Sequence, residues 1–174
     1  MKNDIQDLVY RRAQFVCQEA KLNPGKPDQS IKCTLYAISN YLSVGQDGNS
    51  PTVKRLNRNV SKAALTRLEK LLKIKKLKLA FDKWHKSTTN EHPKPLNQIW
   101  KELCEQKSPA PEYLLNELSE NKMITITKKE NSVNDGNGQR AKGSVKDRTA
   151  AYPGVRMPDE TFRKIQTKRV SKEY

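Results

Sequence analysis

The chain is poor in the residues on which most enzymes and metal proteins depend. It has two histidines, His85 and His92, whose spacing suits no common zinc motif, so a surface role is expected for both. Its three cysteines, Cys17, Cys33 and Cys104, are odd in number and far apart, which argues against a disulfide framework or a Cys-x-x-Cys knuckle. Each lies among apolar residues and is expected as a small buried side chain in a reducing compartment. There is no G-x-x-x-x-G-K-S/T run and no G-x-S-x-G elbow, and the carboxylates are scattered rather than paired in apolar surroundings. No catalysis, metal or cofactor is therefore expected. Nothing approaches the roughly 18 apolar residues that a bilayer span needs. MKNDIQDLVYRRAQF also lacks the apolar stretch of a signal peptide. These absences predict a soluble, cytoplasmic protein with no membrane partner. Aromatics make up only 6% of the chain, too few to favour a base-stacking platform for single strands.

What is abundant is positive charge, and it is local. The net charge is +15, and residues 51–90, with twelve basic and two acidic side chains, carry +10 of it. Residues 1–50 contribute +1, residues 91–130 contribute −1 and residues 131–174 contribute +5. A patch of that density predicts a polyanionic partner, and duplex DNA is favoured over RNA by the shortage of aromatics.

Apolar spacing predicts a mainly helical chain. Ile5, Leu8, Val9, Val16, Cys17 and Ala20 share one face of a helix over 4–21, and Ile31, Leu35, Ile38 and Leu42 share a face over 31–43. KLNPGKPDQS between them is a loop. Pro51 suits the start of a short helix, and Ser61 can cap another beginning SKAALTRLEKLL, with Leu65, Leu68 and Leu72 inward. Helix, short helix, tight turn, helix is a helix-turn-helix layout. In it Lys62, Thr66 and Arg67 are placed to read bases. Lys54, Arg55, Arg58, Ser61, Lys70, Lys73, Lys75, Lys76 and Lys78 are placed to meet phosphates.

The stretch KIKKLKLAF that follows admits two readings. It can be a first wing strand over 74–81, or part of one unbroken helix from Ser61 to Lys86. A second set follows: a helix over 96–106, a helix capped by Ser108 and begun by Pro109, and a strand in NKMITIT. After it comes a Gly- and Asn-rich basic segment, read as a wing with Lys128, Lys129, Arg140, Lys142, Lys146 and Arg148. Glu112, Glu117 and Glu120 on the second helix would repel phosphate. That unit is therefore expected to use its wing alone, or to face a second copy or a protein partner. A short C-terminal helix in PDETFRKIQTKRV would hold Asp159 and Glu160 at its start, with Arg163, Lys164, Lys168 and Arg169 as further cations.

The expected organisation is a helix and loop over 1–29, a basic helix-turn-helix unit over 30–90, a second winged-helix-like unit over 91–150 and a basic tail over 151–174. The fold class is mainly α, with one or two winged-helix units in tandem and small β-wings. The tandem layout resembles that of some plasmid replication initiators. GNSPTVKRLNRNVSKAALTRLEKL, within residues 31–76, is similar to the DNA-binding region of plasmid KfrA-type regulators. The long alanine-rich coil that follows in that family is missing here. The resemblance implies a sequence-specific transcriptional regulator of a plasmid, phage or other mobile element. Replication initiation or plasmid maintenance is an alternative with the same DNA chemistry, and an RNA-binding role in a ribonucleoprotein is a third reading.

Overall fold

The structure, a computed structural model, describes residues 2–45, 53–54, 56–131 and 154–166. It is mainly helical with a small mixed sheet. Its elements are α1 (Lys2–Leu22), α2 (Gln29–Val44), β1 (Asn59–Ser61), α3 (Lys62–Leu72), α4 (Leu77–Ser87) and β2 (Thr88–Glu91). They continue as α5 (Leu96–Cys104), α6 (Pro111–Glu120), β3 (Ile124–Thr127), β4 (Gly154–Arg156) and α7 (Asp159–Gln166).

Two compact units share the chain, and they are interleaved. Unit one combines Met1–Gly48 with Lys94–Lys122, and unit two combines Asn49–Pro93 with Met123–Tyr174. These boundaries differ from those expected from sequence. The helix over 31–43 belongs to unit one, where it packs with α1. The segment over 91–122 supplies helices to unit one in place of a second winged-helix-like unit.

Unit one is a helical bundle of α1, α2, α5 and α6 among the described residues. Its core draws Val9, Ala13, Val16, Cys17 and Ala20 from α1, Ile31, Leu35 and Ile38 from α2, and Ile99, Trp100, Leu103, Leu114 and Leu118 from α5 and α6. The helix ends are closed by specific groups. Asp28 accepts the Ile31 amide at 2.8 Å and caps α2. Gly45, at φ 79°, ends α2 in the left-handed region that costs glycine nothing, and its N–H reaches the Tyr41 carbonyl. Trp100 Nε1 donates to the Gly25 carbonyl at 2.5 Å, so the buried indole keeps a partner. α6 begins at Pro111 with Ala110 as its cap residue, two positions later than the expected Ser108–Pro109 start. Of the two prolines in SPAP, the second holds the first helical position. Cys17 is buried as expected, but Cys33 is exposed and Cys104 only partly covered.

Unit two is built on a four-stranded sheet in the order β2-β3-β1-β4. β3 runs antiparallel to β2, with Glu91 opposite Ile124, and parallel to β1 through Val60 and Thr125. β4 closes the edge antiparallel to β1, placing Gly154 opposite Ser61. A core of Val60, Ala64, Leu68, Phe81, Trp84, Met157 and Ile165 unites β1, α3, α4 and α7. The expected wing strand over 74–81 is not formed. The chain turns at residues 73–76 and re-enters helix at Leu77, so the unbroken helix from Ser61 to Lys86 is not formed either. Ala80, Phe81 and Trp84 are buried at helical spacing, and that burial decides between the two local propensities. The strand expected in NKMITIT is present as β3, with Ile124, Thr125 and Ile126 all buried.

Candidate nucleic-acid interface

The cationic surface of unit two starts at Ser61. Its Oγ accepts the Ala64 amide at 3.1 Å, which fixes the first turn of α3. The same hydroxyl donates to Glu130 Oε2 at 2.8 Å. That carboxylate also receives the Thr127 backbone N–H and hydroxyl, each at 2.8 Å, while Thr127 Oγ1 accepts the Glu130 N–H at 3.1 Å. Thr127-Lys-Lys-Glu130 is a capping box that starts a helical turn at residues 128–131. β3 therefore does not run on into a wing strand. Lys128 and Lys129 are exposed on this turn.

Once α3 is started, its periodicity sorts its residues. Ala64 and Leu68 are buried, with Leu65, Leu71 and Leu72 partly covered. Lys62, Ala63, Thr66, Arg67 and Lys70 are exposed on the opposite side. Together with Leu71 and Glu130 these five residues line an open depression of about 600 Å³. Arg67 Nε donates to Ser87 Oγ at 2.6 Å, and Ser87 Oγ donates to the Trp84 carbonyl at 3.2 Å, tying α3 to the C-terminal end of α4. The turn exposes Lys73, Lys75 and Lys76. α4 then exposes Lys78, Leu79, Asp82, Lys83 and Lys86 while turning Ala80, Phe81 and Trp84 inward. Lys83 and Lys86 belong to this surface although they were not among the residues picked from sequence. Reading the stretch as a helix with Phe81 and Trp84 inward would have found them.

Three residues expected at DNA are engaged elsewhere. Lys54 is buried, and its Nζ donates to the carbonyls of Thr88 at 2.7 Å and His85 at 3.2 Å. It closes the C-terminal end of α4, where helix carbonyls lack partners. Burial, with Lys128 nearby, holds its amine below the usual lysine range. Arg58 pairs with Asp159 and lies over the Phe162 ring at 4.5 Å, fastening α7. Ser61 is buried under its cap and the Glu130 bond. Arg55, Arg140, Lys142, Lys146, Arg148, Lys168 and Arg169 lie outside the described residues. Arg163 and Lys164 are exposed on α7, and Lys164 pairs with Glu160 at 2.6 Å.

The glutamates expected to repel phosphate sit on α6 in unit one. Glu112 accepts the Tyr10 hydroxyl at 2.7 Å, which holds its carboxyl below the usual range, and Glu117 pairs with Lys94 at 2.6 Å. Glu120 is exposed. His92 is not the surface residue its polar neighbours suggest. It is only 7% exposed, and burial pushes its imidazole down to about 4. His85 is half-buried, with its ring 6.5 Å from that of Phe81. Among the described residues no cluster of three or more His, Cys, Asp or Glu side chains is placed to hold a metal, and no helix is long and apolar enough to cross a membrane. Comparison with family models, with curated proteins and with solved structures returned no match.

Proposed function

We propose that unit two binds double-stranded DNA through α3, the 73–76 turn and α4. The observation that carries this reading is that Lys62, Arg67, Lys70, Lys73, Lys75, Lys76 and Lys78 are all exposed within one short stretch. No acidic cluster offsets them among the described residues of that stretch. Glu69 is the acidic residue within it, Asp82 follows on α4, and the nearby Glu130 is spent on Ser61 and Thr127.

We read α3, its four-residue turn and α4 as a helix-turn-helix, with the β2–β3 pair in the place of a wing. In such a unit the second helix enters the major groove and the first crosses the backbone. On that reading Lys78, Leu79, Asp82 and Lys83 face base edges, while Lys62, Arg67 and Lys70 meet phosphates. The sequence suggests the opposite assignment, with Lys62, Thr66 and Arg67 as readers, and substitution separates the two. Burial of Phe81 and Trp84 favours duplex over single-stranded RNA, because the aromatics of the basic region are committed to the core. The role we attach to this binding is sequence-specific regulation in the cytoplasm, on a plasmid, phage or other mobile element. Its support is the resemblance over residues 31–76, although residues 31–48 of that span belong to unit one and only residues 49–76 to unit two.

Fluorescence anisotropy with duplexes selected from a random pool tests the proposal. Binding should fall steeply with salt, and Lys75→Ala with Lys76→Ala should weaken all duplexes alike while flattening the log–log salt slope by about 1.8, two contacts at ~0.9 each. Lys83→Ala should relax sequence discrimination. If Arg67→Ala relaxes it instead, α3 is the reading helix. Equal affinity for duplex DNA and single-stranded RNA, or binding insensitive to salt, would overturn the proposal.

A further inference from the structure

We propose that α1 carries a self-association seam, through which two copies of the chain pair antiparallel. The helix has two apolar faces. Val9, Ala13, Val16, Cys17 and Ala20 form the one that enters the core of unit one. The other carries Ile5 and Leu8, which the apolar spacing groups with the core face but the fold leaves outside it, together with Phe15 and Leu22; the four are 41%, 39%, 39% and 62% exposed. Leu8, Phe15 and Leu22 are spaced by seven, and Ile5, Arg12 and Glu19, also spaced by seven, precede them by three. That is an a/d alternation sustained along the helix, the period at which one helix packs against another. A single exposed leucine needs no explanation, but four large apolar side chains on one stripe about 26 Å long do.

The two polar members of the stripe select both the occupant and its direction. A parallel pair would set Arg12 against Arg12 and Glu19 against Glu19, like charges at seam positions. An antiparallel pair centred between Ala13 and Gln14 removes both conflicts. It lays Ile5 on the partner's Leu22, Leu8 on the stem of the partner's Glu19, and Arg12 on the ring of the partner's Phe15. The partner's Glu19 is then one helical turn from Arg12, about 6 Å along the axis. The seam thus complements itself in charge and in apolar content. Arg12 already lies over the Tyr41 ring at 5.5 Å, so its guanidinium is drawn towards α2 and its stem can cover the seam. One pair of 21-residue helices makes a small interface, so a dissociation constant in the micromolar range is expected.

The test is sedimentation equilibrium of the full chain from about 1 to 100 μM. The expected result is a monomer–dimer equilibrium, weakened at least tenfold by Phe15→Glu. Phe15 is partly covered by its own unit, so Leu22→Glu, at the exposed end of the helix, is the second variant. It should weaken the dimer while leaving thermal unfolding of the dilute chain unchanged. Direction is read by oxidation in a Cys33→Ser, Cys104→Ser background, since those are the two cysteines that are not buried. Chains with Ile5→Cys and chains with Leu22→Cys should cross-link when mixed and not when separate. A monomer at every concentration, a dimer indifferent to both glutamate variants, or cross-linking of Ile5→Cys to itself would each overturn the proposal. None of these outcomes depends on DNA binding.

Discussion

His92 should make unit two sensitive to mild acid in a way that one substitution removes. The residue follows β2, is 7% exposed, and is held down to about 4 from an ordinary value of 6.5 because burial disfavours the imidazolium. The sign follows from linkage. Above 6.5 His92 is neutral whether the chain is folded or not, and its stabilising contribution is complete. Between 6.5 and 4 the unfolded chain takes up a proton that the folded chain refuses, so stability falls as pH falls. At about pH 4.5 the loss is roughly 2.5 kcal/mol relative to about pH 7.5, from a shift worth ~1.4 kcal/mol per unit. Trp84 lies in the core of unit two and Trp100 in that of unit one, so urea unfolding followed by fluorescence in a Trp100→Phe background reports unit two alone. His92→Gln should start less stable at neutral pH, because an amide replaces a fitted ring. It should then lose about 2.5 kcal/mol less than the parent on acidification, since carboxylate titrations are common to both chains. Parallel acid profiles for the two chains would refute the reasoning and mean that His92 is solvated in the native state.

Two further substitutions probe the frame around the cationic surface. Gly154 sits opposite Ser61 at the sheet edge, and a Cβ there would collide with the Asn59 carboxamide. Gly154→Ala should cost about 1–2 kcal/mol in urea unfolding, and Asn59→Ala should restore most of that loss in a double-mutant cycle. Ser61→Ala removes both the cap of α3 and a donor to Glu130, and should cost about 2 kcal/mol. Ser61→Asp, normally a good cap, should be worse than the parent by a similar margin, because it sets a second carboxylate against Glu130.

The helices of unit one were legible because three- and four-residue apolar spacing is a local signal, as in Leu35 and Ile38 of α2 or Ile99 and Leu103 of α5. β3 was legible from its alternation and β-branched content. β1, β2 and β4 were not, because Asn-Val-Ser, Thr-Thr-Asn-Glu and Gly-Val-Arg carry no strand pattern of their own. They are strands only through pairing with distant partners, such as Val60 with Thr125. KIKKLKLAF failed for another reason: its local propensities were balanced, and burial of Phe81 and Trp84 against α3 and α7 broke the tie. At the site, charge density found the exposed lysines but could not tell them from Lys54, whose amine is consumed by carbonyls at the end of α4. The capping box at Thr127–Glu130 was present in the sequence and is the signal that the strand ends there.

The interleaving of the units carries its own prediction. β2 and β3 pair from Thr88–Thr127 to Glu91–Ile124, so forming this ladder closes a loop of about 30 residues, with an entropic cost that grows with loop length. Asn121 reduces that cost. Its Oδ1 accepts the Lys94 N–H and its Nδ2 donates to the Lys94 carbonyl, both at 2.7 Å, so the residues that flank the two inserted helices are clamped together. Lys94 Nζ adds ion pairs to Glu117 and Glu102 on those helices. With the insert closed, β2 and β3 are joined by an effective loop of about six residues, which lowers closure entropy by roughly 1.5 kcal/mol. Asn121→Ala should therefore act twice. It should destabilise unit one by about 1–3 kcal/mol through two lost half-buried bonds, and slow the refolding of unit two, which Asn121 itself does not belong to. Stopped-flow refolding read at Trp84 in the Trp100→Phe background checks this, with roughly a tenfold slower rate expected if the clamp is closed in the transition state. Refolding of unit two at the parent rate, with only unit one destabilised, would show that its sheet forms without waiting for the inserted helices.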